Sequence, residues 1–216
     1  MTFRRENLSK CLKDFEHINR YYDPMNDINT AKILPGQFYV SISGEMISTV
    51  LGSCISACIR DPGVNIGGMN HFMLPIDNKS KPDIHGQVDW SVASRYGDFA
   101  MEKLINAILR AGGKRRNLEV KVFGGGKVVS QLQKTDVGQK NIDFVREYLE
   151  FEGLSILAED TGDIFPRKVQ YYTDTGRVRV KKLHVVRNET ISDREDSYYN
   201  KIITTPDETE DLELFS

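Results

Sequence analysis

The sequence lacks the features of a membrane, secreted or nucleic-acid-binding protein. No apolar run approaches the roughly 20 residues that cross a bilayer, and residues 1–6 lack the apolar core of a signal peptide. Lysine and arginine total 29 against 31 acidic residues, which leaves a formal net charge of −2 at pH 7. Because no charge excess attracts nucleic acid or an anionic membrane, we expect a cytoplasmic protein with no nucleic-acid partner and no membrane insertion.

Cysteine is scarce, and no sequence repeat is present. The three cysteines are Cys11, Cys54 and Cys58. An odd, small set argues against a disulfide framework, and none of the histidines stands at metal-ligand spacing from a cysteine. The absence of a repeat period excludes solenoids and propellers. We therefore expect reduced thiols, no metal site and an ordinary globular core.

Hydrophobic patterning predicts an α/β protein. Two segments have helical periodicity, residues 91–111 and 137–151. Strand patterns cover residues 37–42, 46–51, 55–60, 67–75, 118–123, 154–159, 167–172 and 177–186. Strands mixed with two main helices favour a single-domain layered α/β sandwich with mixed β-sheets.

The two ends of the chain differ from this middle part in composition. Residues 1–33 are predicted to be an N-terminal extension, with a short amphipathic helix over residues 8–18 and a linker over residues 21–29. Residues 34–187 form the predicted domain. Residues 188–216 are polar and acidic, and they are predicted to be a disordered or loosely attached tail.

Cys54 is a candidate nucleophile, with His71 as its candidate base. Cys54 follows Gly52 and Ser53 where a loop meets an apolar strand, so neighbouring backbone N–H groups could face a bound oxyanion. His71 lies in another apolar segment, where a charged imidazole would need a partner. The alternative, an inert core cysteine and a structural histidine, stays open on residue types alone. The glycines at 124–126 fit no nucleotide-binding fingerprint and predict a close-approach turn.

Short motifs in series resemble the CheD family of chemoreceptor glutamine deamidases. They span about residues 34 to 185 in the family's order. The motifs are 51–54 (LGSC), 60–62 (RDP), 68–75 (GMNHFMLP), 94–98 (SRYGD), 122–125 (VFGG), 138–141 (GQKN), 158–162 (AEDTG), 167–169 (RKV) and 175–178 (TGRV). The resemblance implies a CheD-like sandwich.

The resemblance also implies a triad of cysteine, histidine and a hydroxyl residue. Cys54 and His71 match the first two, and the third position, six residues before the cysteine, is Ser48. Thr49 replaces it if the loop shifts by one residue. Backbone groups of Gly52 and Ser53 are expected to support the oxyanion. Asn70 departs from the family pattern; it either hydrogen-bonds near the site or faces away.

The implied activity is hydrolysis of glutamine side-chain amides to glutamate, with release of ammonia and without cofactor. The implied partners are the cytoplasmic helices of methyl-accepting chemotaxis receptors in bacterial signal transduction. One alternative is a regulatory binding module that partners a CheC-type phosphatase. Another is a different thiol acyl-transferase, such as a methylesterase, a protease or a transglutaminase.

Overall fold

The protein was analysed as a computed structural model that describes residues 8–75, 91–128, 136–184 and 188–204. The strands in these residues are β1 (Asn19–Asp23), β2 (Ile28–Lys32), β3 (Phe38–Ser41), β4 (Met46–Leu51), β5 (Ile55–Asp61), β6 (Ile66–Asn70), β7 (Glu119–Gly124), β8 (Ile156–Thr161), β9 (Arg167–Tyr172) and β10 (Val178–Lys182). The helices are α1 (Ser91–Arg110), α2 (Val137–Phe151) and α3 (Asn188–Thr204), with single 3-10 turns at Lys13–Phe15 and Arg115–Asn117.

The strands form two mixed five-stranded sheets. The first has the order β1-β2-β4-β9-β10, and the second has the order β3-β6-β5-β7-β8. Each contains one parallel pair, β2 with β4 and β7 with β8, among antiparallel neighbours. Consecutive strands often belong to different sheets, so the chain crosses repeatedly between the two layers. One such crossing, from β4 to β5, carries Cys54.

A single hydrophobic core joins both sheets and the helices. Helix α1 packs on β3, β5 and β6, and α2 packs on β5, so the second sheet has a helical layer on one face. Strands β5 and β6 are accordingly buried almost throughout. The predicted layered α/β sandwich with mixed sheets is confirmed. No helix among the described residues combines the length and apolar character needed to span a bilayer.

The N-terminal segment contributes to the first sheet, and the linker expected over residues 21–29 is wrong. This stretch forms the β1–β2 hairpin, in which the Asp23 carboxylate accepts the N–H of Met25 at 2.9 Å to close the turn. Of the expected amphipathic helix, the structure has a single 3-10 turn at Lys13–Phe15. The sequence pattern does not reveal the hairpin, because β1 is an edge strand in which no side chain is fully buried.

The C-terminal tail contains α3, which the sequence analysis did not predict. Its buried residues Ile191, Glu195 and Tyr199 stand four positions apart and share one face of the helix. A glutamate at the centre of this stripe breaks the hydrophobic pattern, so the segment appears polar throughout. Residues 205–216 of the predicted tail lie outside the described residues.

A buried carboxylate ties the N-terminal segment to the sandwich. Glu45, just before β4, is only 1% exposed. Its Oε1 accepts from Arg20 Nε and from the Ser9 hydroxyl, both at 2.9 Å, and its Oε2 accepts from the Tyr39 hydroxyl. A buried charge is stable only with such partners. The cation from β1 is therefore a requirement of the Glu45 site.

Replacing Arg20 with alanine is expected to lower the free energy of unfolding by about 2–3 kcal/mol, because Glu45 would remain buried without its cation. Lys182→Ala is the matched control: it removes the cation of an ion pair with Asp163 in which both side chains are about a third exposed, and should cost less than about 1 kcal/mol. Urea denaturation measures both. Equal, small losses would show that Glu45 does not need the Arg20 cation.

Candidate active site

Cys54 lies on the crossover loop, residues 52–54, where the chain leaves the first sheet after β4 and enters the second sheet at β5. The loop is enclosed: Cys54 is 0% exposed and Ser53 is 3% exposed. Enclosure requires every backbone polar group of the loop to find a partner. The partners that it finds give the site its geometry.

The three carbonyl groups of the crossover loop are bound from one side. The carbonyl of Gly52 accepts the N–H of Gly126 at 2.7 Å, and the carbonyl of Cys54 accepts the N–H of Gly125 at 2.8 Å. The carbonyl of Ser53, between them, accepts from Nδ2 of Asn141 at 2.8 Å. Asn141, in α2, also accepts the N–H of Leu74 through its Oδ1 at 2.9 Å, so one buried amide joins the loop to the segment after His71. These bonds hold the loop so that its N–H groups are available to another partner.

The glycine run at 124–126 permits this bracing. Gly124 has φ +115°, and a Cβ there would lie 2.2 Å from the carbonyl oxygen of Cys54. No larger residue fits without displacing the loop. The predicted close-approach turn is confirmed.

The strand predicted over residues 67–75 ends at Asn70, so His71 lies just after β6 rather than inside a strand, and Thr49 of the opposite sheet holds it. The Thr49 hydroxyl lies 2.8 Å from His71 Nδ1 and donates its hydrogen to the Ile33 carbonyl at 2.9 Å. A hydroxyl has one hydrogen, so Thr49 Oγ1 accepts the proton of Nδ1. The remaining ring nitrogen, Nε2, then carries the lone pair. The hydrogen-bond pattern therefore assigns the neutral tautomer that acts as a base at Nε2.

The imidazole and the thiol are both uncharged in this enclosed site. Burial lowers the pKa of His71 from its ordinary 6.5 to about 3. Burial, followed by the nearby Glu195 carboxylate, raises the pKa of the Cys54 thiol well above its ordinary value. Among the described residues, no atom forms a hydrogen bond with His71 Nε2, although the atom is buried. The site thus contains an unused base beside a protonated thiol.

The carboxylate of Glu195, from α3, is bound by all three N–H groups of the crossover loop. Gly52 and Ser53 donate at 2.8 Å and Cys54 at 3.2 Å, and the Ser53 hydroxyl donates at 2.6 Å. A Cβ at position 52 would lie 2.7 Å from the carboxylate, so glycine permits this approach. Three converging N–H donors form an anion-binding pocket next to the thiol.

The sulfur of Cys54, a ring nitrogen of His71 and a carboxylate oxygen of Glu195 lie within 4.8 Å of one another. Thiol, imidazole and carboxylate groups are also metal ligands. Here, however, the carboxylate oxygens face N–H donors, which suit an anion and oppose a cation. The arrangement is therefore that of a carboxyl or amide group held between donors, a thiol and a base.

The other predicted site residues lie in different surroundings. Ser48 precedes Thr49 on β4, so its side chain points to the opposite face of the strand, and its carbonyl accepts the N–H of Ile33 at 3.1 Å. Asn70 accepts the N–H of Ala57 at 2.8 Å and donates to the Ala100 carbonyl at 3.1 Å, which links β5 to α1. Of the two hydroxyls, Thr49 is the one that contacts His71.

Two residues that touch the site were absent from the sequence-based set. Asn141 lies in a motif that resembles the family, but its sequence position does not reveal that it binds the loop carbonyl of Ser53. Glu195 lies 141 positions after Cys54 in a segment with a polar composition. Its position at the centre of an apolar stripe was the available signal, because a buried glutamate requires a specific partner.

The depressed pKa of His71 predicts a pH dependence of stability. Between pH 6.5 and about 3, the unfolded chain holds the imidazole proton and the folded protein does not, so stability falls as the pH falls. Relative to His71→Gln, the wild type should lose up to about 1.4 kcal/mol of unfolding free energy per pH unit in this window. Urea denaturation from pH 6.5 to 4.5 measures the difference. Parallel pH profiles would mean that the imidazole protonates within the fold.

Comparison with known proteins assigns the chain to a family. The family model for CheD chemotactic sensory transduction matches residues 73–182. A protein of Halorhodospira halophila (strain DSM 244 / SL1) named probable chemoreceptor glutamine deamidase CheD is 50% identical over 205 residues, which are 95% of this chain and 93% of that protein. A protein of the same name from Herminiimonas arsenicoxydans is 48% identical over 209 residues, 97% of this chain and 100% of that protein. The chain belongs to the CheD family.

Proposed function

We propose that the protein is a protein-glutamine glutaminase that converts glutamine side chains of chemotaxis receptors to glutamate. The observation that carries the proposal is the carboxylate held by three N–H donors within 4.8 Å of the Cys54 sulfur and a His71 ring nitrogen. A glutamine amide has the same size and shape as this carboxylate. The relatives are named as probable chemoreceptor glutamine deamidases, which supports the receptor as substrate.

The first half of the reaction is transfer of the acyl group to sulfur. Nε2 of His71 accepts the thiol proton, and the sulfur of Cys54 attacks the carbon of the side-chain amide. The resulting oxyanion is stabilised by the N–H groups of the crossover loop, which are already directed by the bonds to its carbonyls. His71 returns the proton to the nitrogen, the C–N bond breaks and ammonia leaves a thioester.

The second half is hydrolysis of the thioester. Thr49, Val50 and Pro35 line the sheet side of a pocket next to His71, where a water molecule can approach the thioester. His71 accepts a proton from that water, hydroxide adds to the thioester carbon, and the C–S bond breaks as His71 returns the proton to the sulfur. The products are the glutamate side chain and the free thiol. Thr49 accepts the proton of Nδ1, so Nε2 is the ring nitrogen that takes up and returns the transferred proton in both halves.

The proposed setting is the bacterial cytoplasm, where the receptor's cytoplasmic helices are accessible. A regulatory module that only binds a partner is less well supported, since a binder has no use for a base beside a thiol and an anion pocket. Partnership with a CheC-type phosphatase stays a prediction.

The proposed nucleophile is tested by intact-mass analysis of a receptor cytoplasmic fragment. Incubation with the wild type should add about one dalton per modified glutamine, because NH₂ is exchanged for OH, and Cys54→Ala should add none. Cys58→Ala is the control, since that thiol is buried in β5, where Cys58 pairs with Lys121 of β7. Full deamidation by Cys54→Ala would overturn the mechanism.

The proposed role of Thr49 is tested by comparing two hydroxyl deletions. Thr49→Val keeps the shape of the side chain but removes the acceptor for Nδ1–H, so kcat should fall by about a hundredfold as the reactive tautomer is lost. Ser48→Ala should change kcat less than about twofold, because no contact joins its side chain to His71. The reverse ranking would assign the third position to Ser48.

A further inference from the structure

Helix α3 covers the candidate active site. Ile191, Arg194 and Glu195 line the pocket next to His71, and Glu195 is only 2% exposed. The nearest described strand, β10, ends at Lys182, only a few residues before α3 begins at Asn188. A receptor glutamine therefore has no access to Cys54 while α3 stays in place.

The group that α3 inserts has the chemistry of the reaction product. A deamidated glutamine is a glutamate, and Glu195 occupies the N–H donors that the proposed mechanism assigns to the substrate carbonyl. As a carboxylate without a leaving group, it cannot react with Cys54. The proposed receptor substrate is also a helix, so the mimicry extends from the functional group to the backbone that presents it.

The remaining contacts of α3 show how a helix is held in this place. Ile191 and Tyr199, four residues before and after Glu195, are each 8% exposed. Tyr198, three residues after Glu195, shares a hydrogen bond between hydroxyls with Tyr96 of α1. These positions fall on one face of a helix. The surface under α3 therefore accepts an amphipathic helix with a central carboxamide or carboxylate.

We propose that α3 is a tethered mimic of the deamidated product, which occupies the site of the substrate helix and must leave before a receptor helix enters. The surface beneath it favours substrate helices with bulky apolar residues four positions before and three or four positions after the glutamine. This inference rests on the proposed function.

Tethering makes α3 a strong competitor. A segment joined by a short linker acts at an effective concentration in the millimolar range. A receptor helix must overcome that concentration, either by binding more tightly or by being present at a comparably high local concentration. Displacement of α3 also removes the Glu195 carboxylate from the thiol, which lowers the cost of forming the thiolate. Substrate entry and activation of the nucleophile are therefore one event.

The sharpest test converts the mimic into a substrate. In Glu195→Gln, the amide carbon lies where the carboxylate carbon was, so the sulfur of Cys54 adds to it, ammonia leaves, and water releases the thioester. The balance is one amide and one water to one carboxylate and one ammonia. The purified variant should therefore gain about one dalton at position 195, relative to the double variant Glu195→Gln/Cys54→Ala. Peptide mass spectrometry locates the change.

Asp193→Gln is the matched control, because Asp193 is on the same helix but exposed. Its amide should remain unchanged. The wild type is assayed in parallel on the receptor fragment. If the fragment is deamidated but the amide at position 195 persists, α3 is not a product mimic and the proposed function stands. If neither changes, the proposed function fails, and the inference fails with it.

A second test does not depend on catalysis. Ile191→Asp places a carboxylate in a buried apolar position of α3 and should release the helix, so that iodoacetamide alkylates Cys54 at least about tenfold faster. Ser197→Asp adds the same charge at an exposed position of α3 and should leave the rate unchanged. Peptide mapping separates Cys54 from Cys11 and Cys58. An unchanged rate in Ile191→Asp, with the helix shown to be displaced by proteolysis within residues 188–204, would overturn the proposal that α3 blocks the site.

Discussion

The structure of the site depends on the three hydrogen bonds that bind the carbonyl groups of the crossover loop. They come from two unrelated parts of the chain, the glycine turn after β7 and Asn141 in α2. Because carbonyl and N–H groups of the loop face different partners, fixing the carbonyls also directs the three N–H groups to one point. The anion pocket is therefore arranged before any ligand arrives, which is the condition for effective electrostatic stabilisation of an oxyanion.

The burial that fixes these donors also raises the free energy of any charged group in the site. Burial keeps both the thiol of Cys54 and the imidazole of His71 neutral, and Glu195 adds to the cost of a thiolate. In a low-dielectric site, proton transfer between the two groups needs a developing charge that the N–H donors can stabilise. The reacting carbonyl supplies that charge, so proton transfer and attack on the amide are coupled. A neutral resting pair also protects the thiol from adventitious oxidation.

Helix α3 connects the anion pocket with the neutral thiol and imidazole. Its carboxylate satisfies the donors that would otherwise be buried without partners, so the closed form is stable, and it does so with the chemical group that the proposed reaction produces. Because a side chain of the product's type is bound within the protein's own fold, turnover requires that a receptor helix displace α3. The stability of the resting site and the selection of helical substrates would then have a common origin in the surface beneath α3.

Much of this protein was determined by local sequence. Period-two and helical patterns located β3 to β10 and both main helices within a few residues. The reason is that burial of one or both faces of an element places apolar residues at regular spacings in the sequence. The glycine turn was recognisable from its residues alone, whereas Cys54 and His71 were candidates by residue type and were singled out by the resemblance to CheD proteins. The β1–β2 hairpin and α3 were not recognisable, because an exposed edge strand and a helix with a central glutamate both look polar. Only the tertiary structure decided that Thr49 rather than Ser48 contacts His71, that Asn141 braces the loop and that Glu195 enters the site. These three contacts depend on which faces of distant segments pack together, and the pattern of residues along the chain does not contain that information.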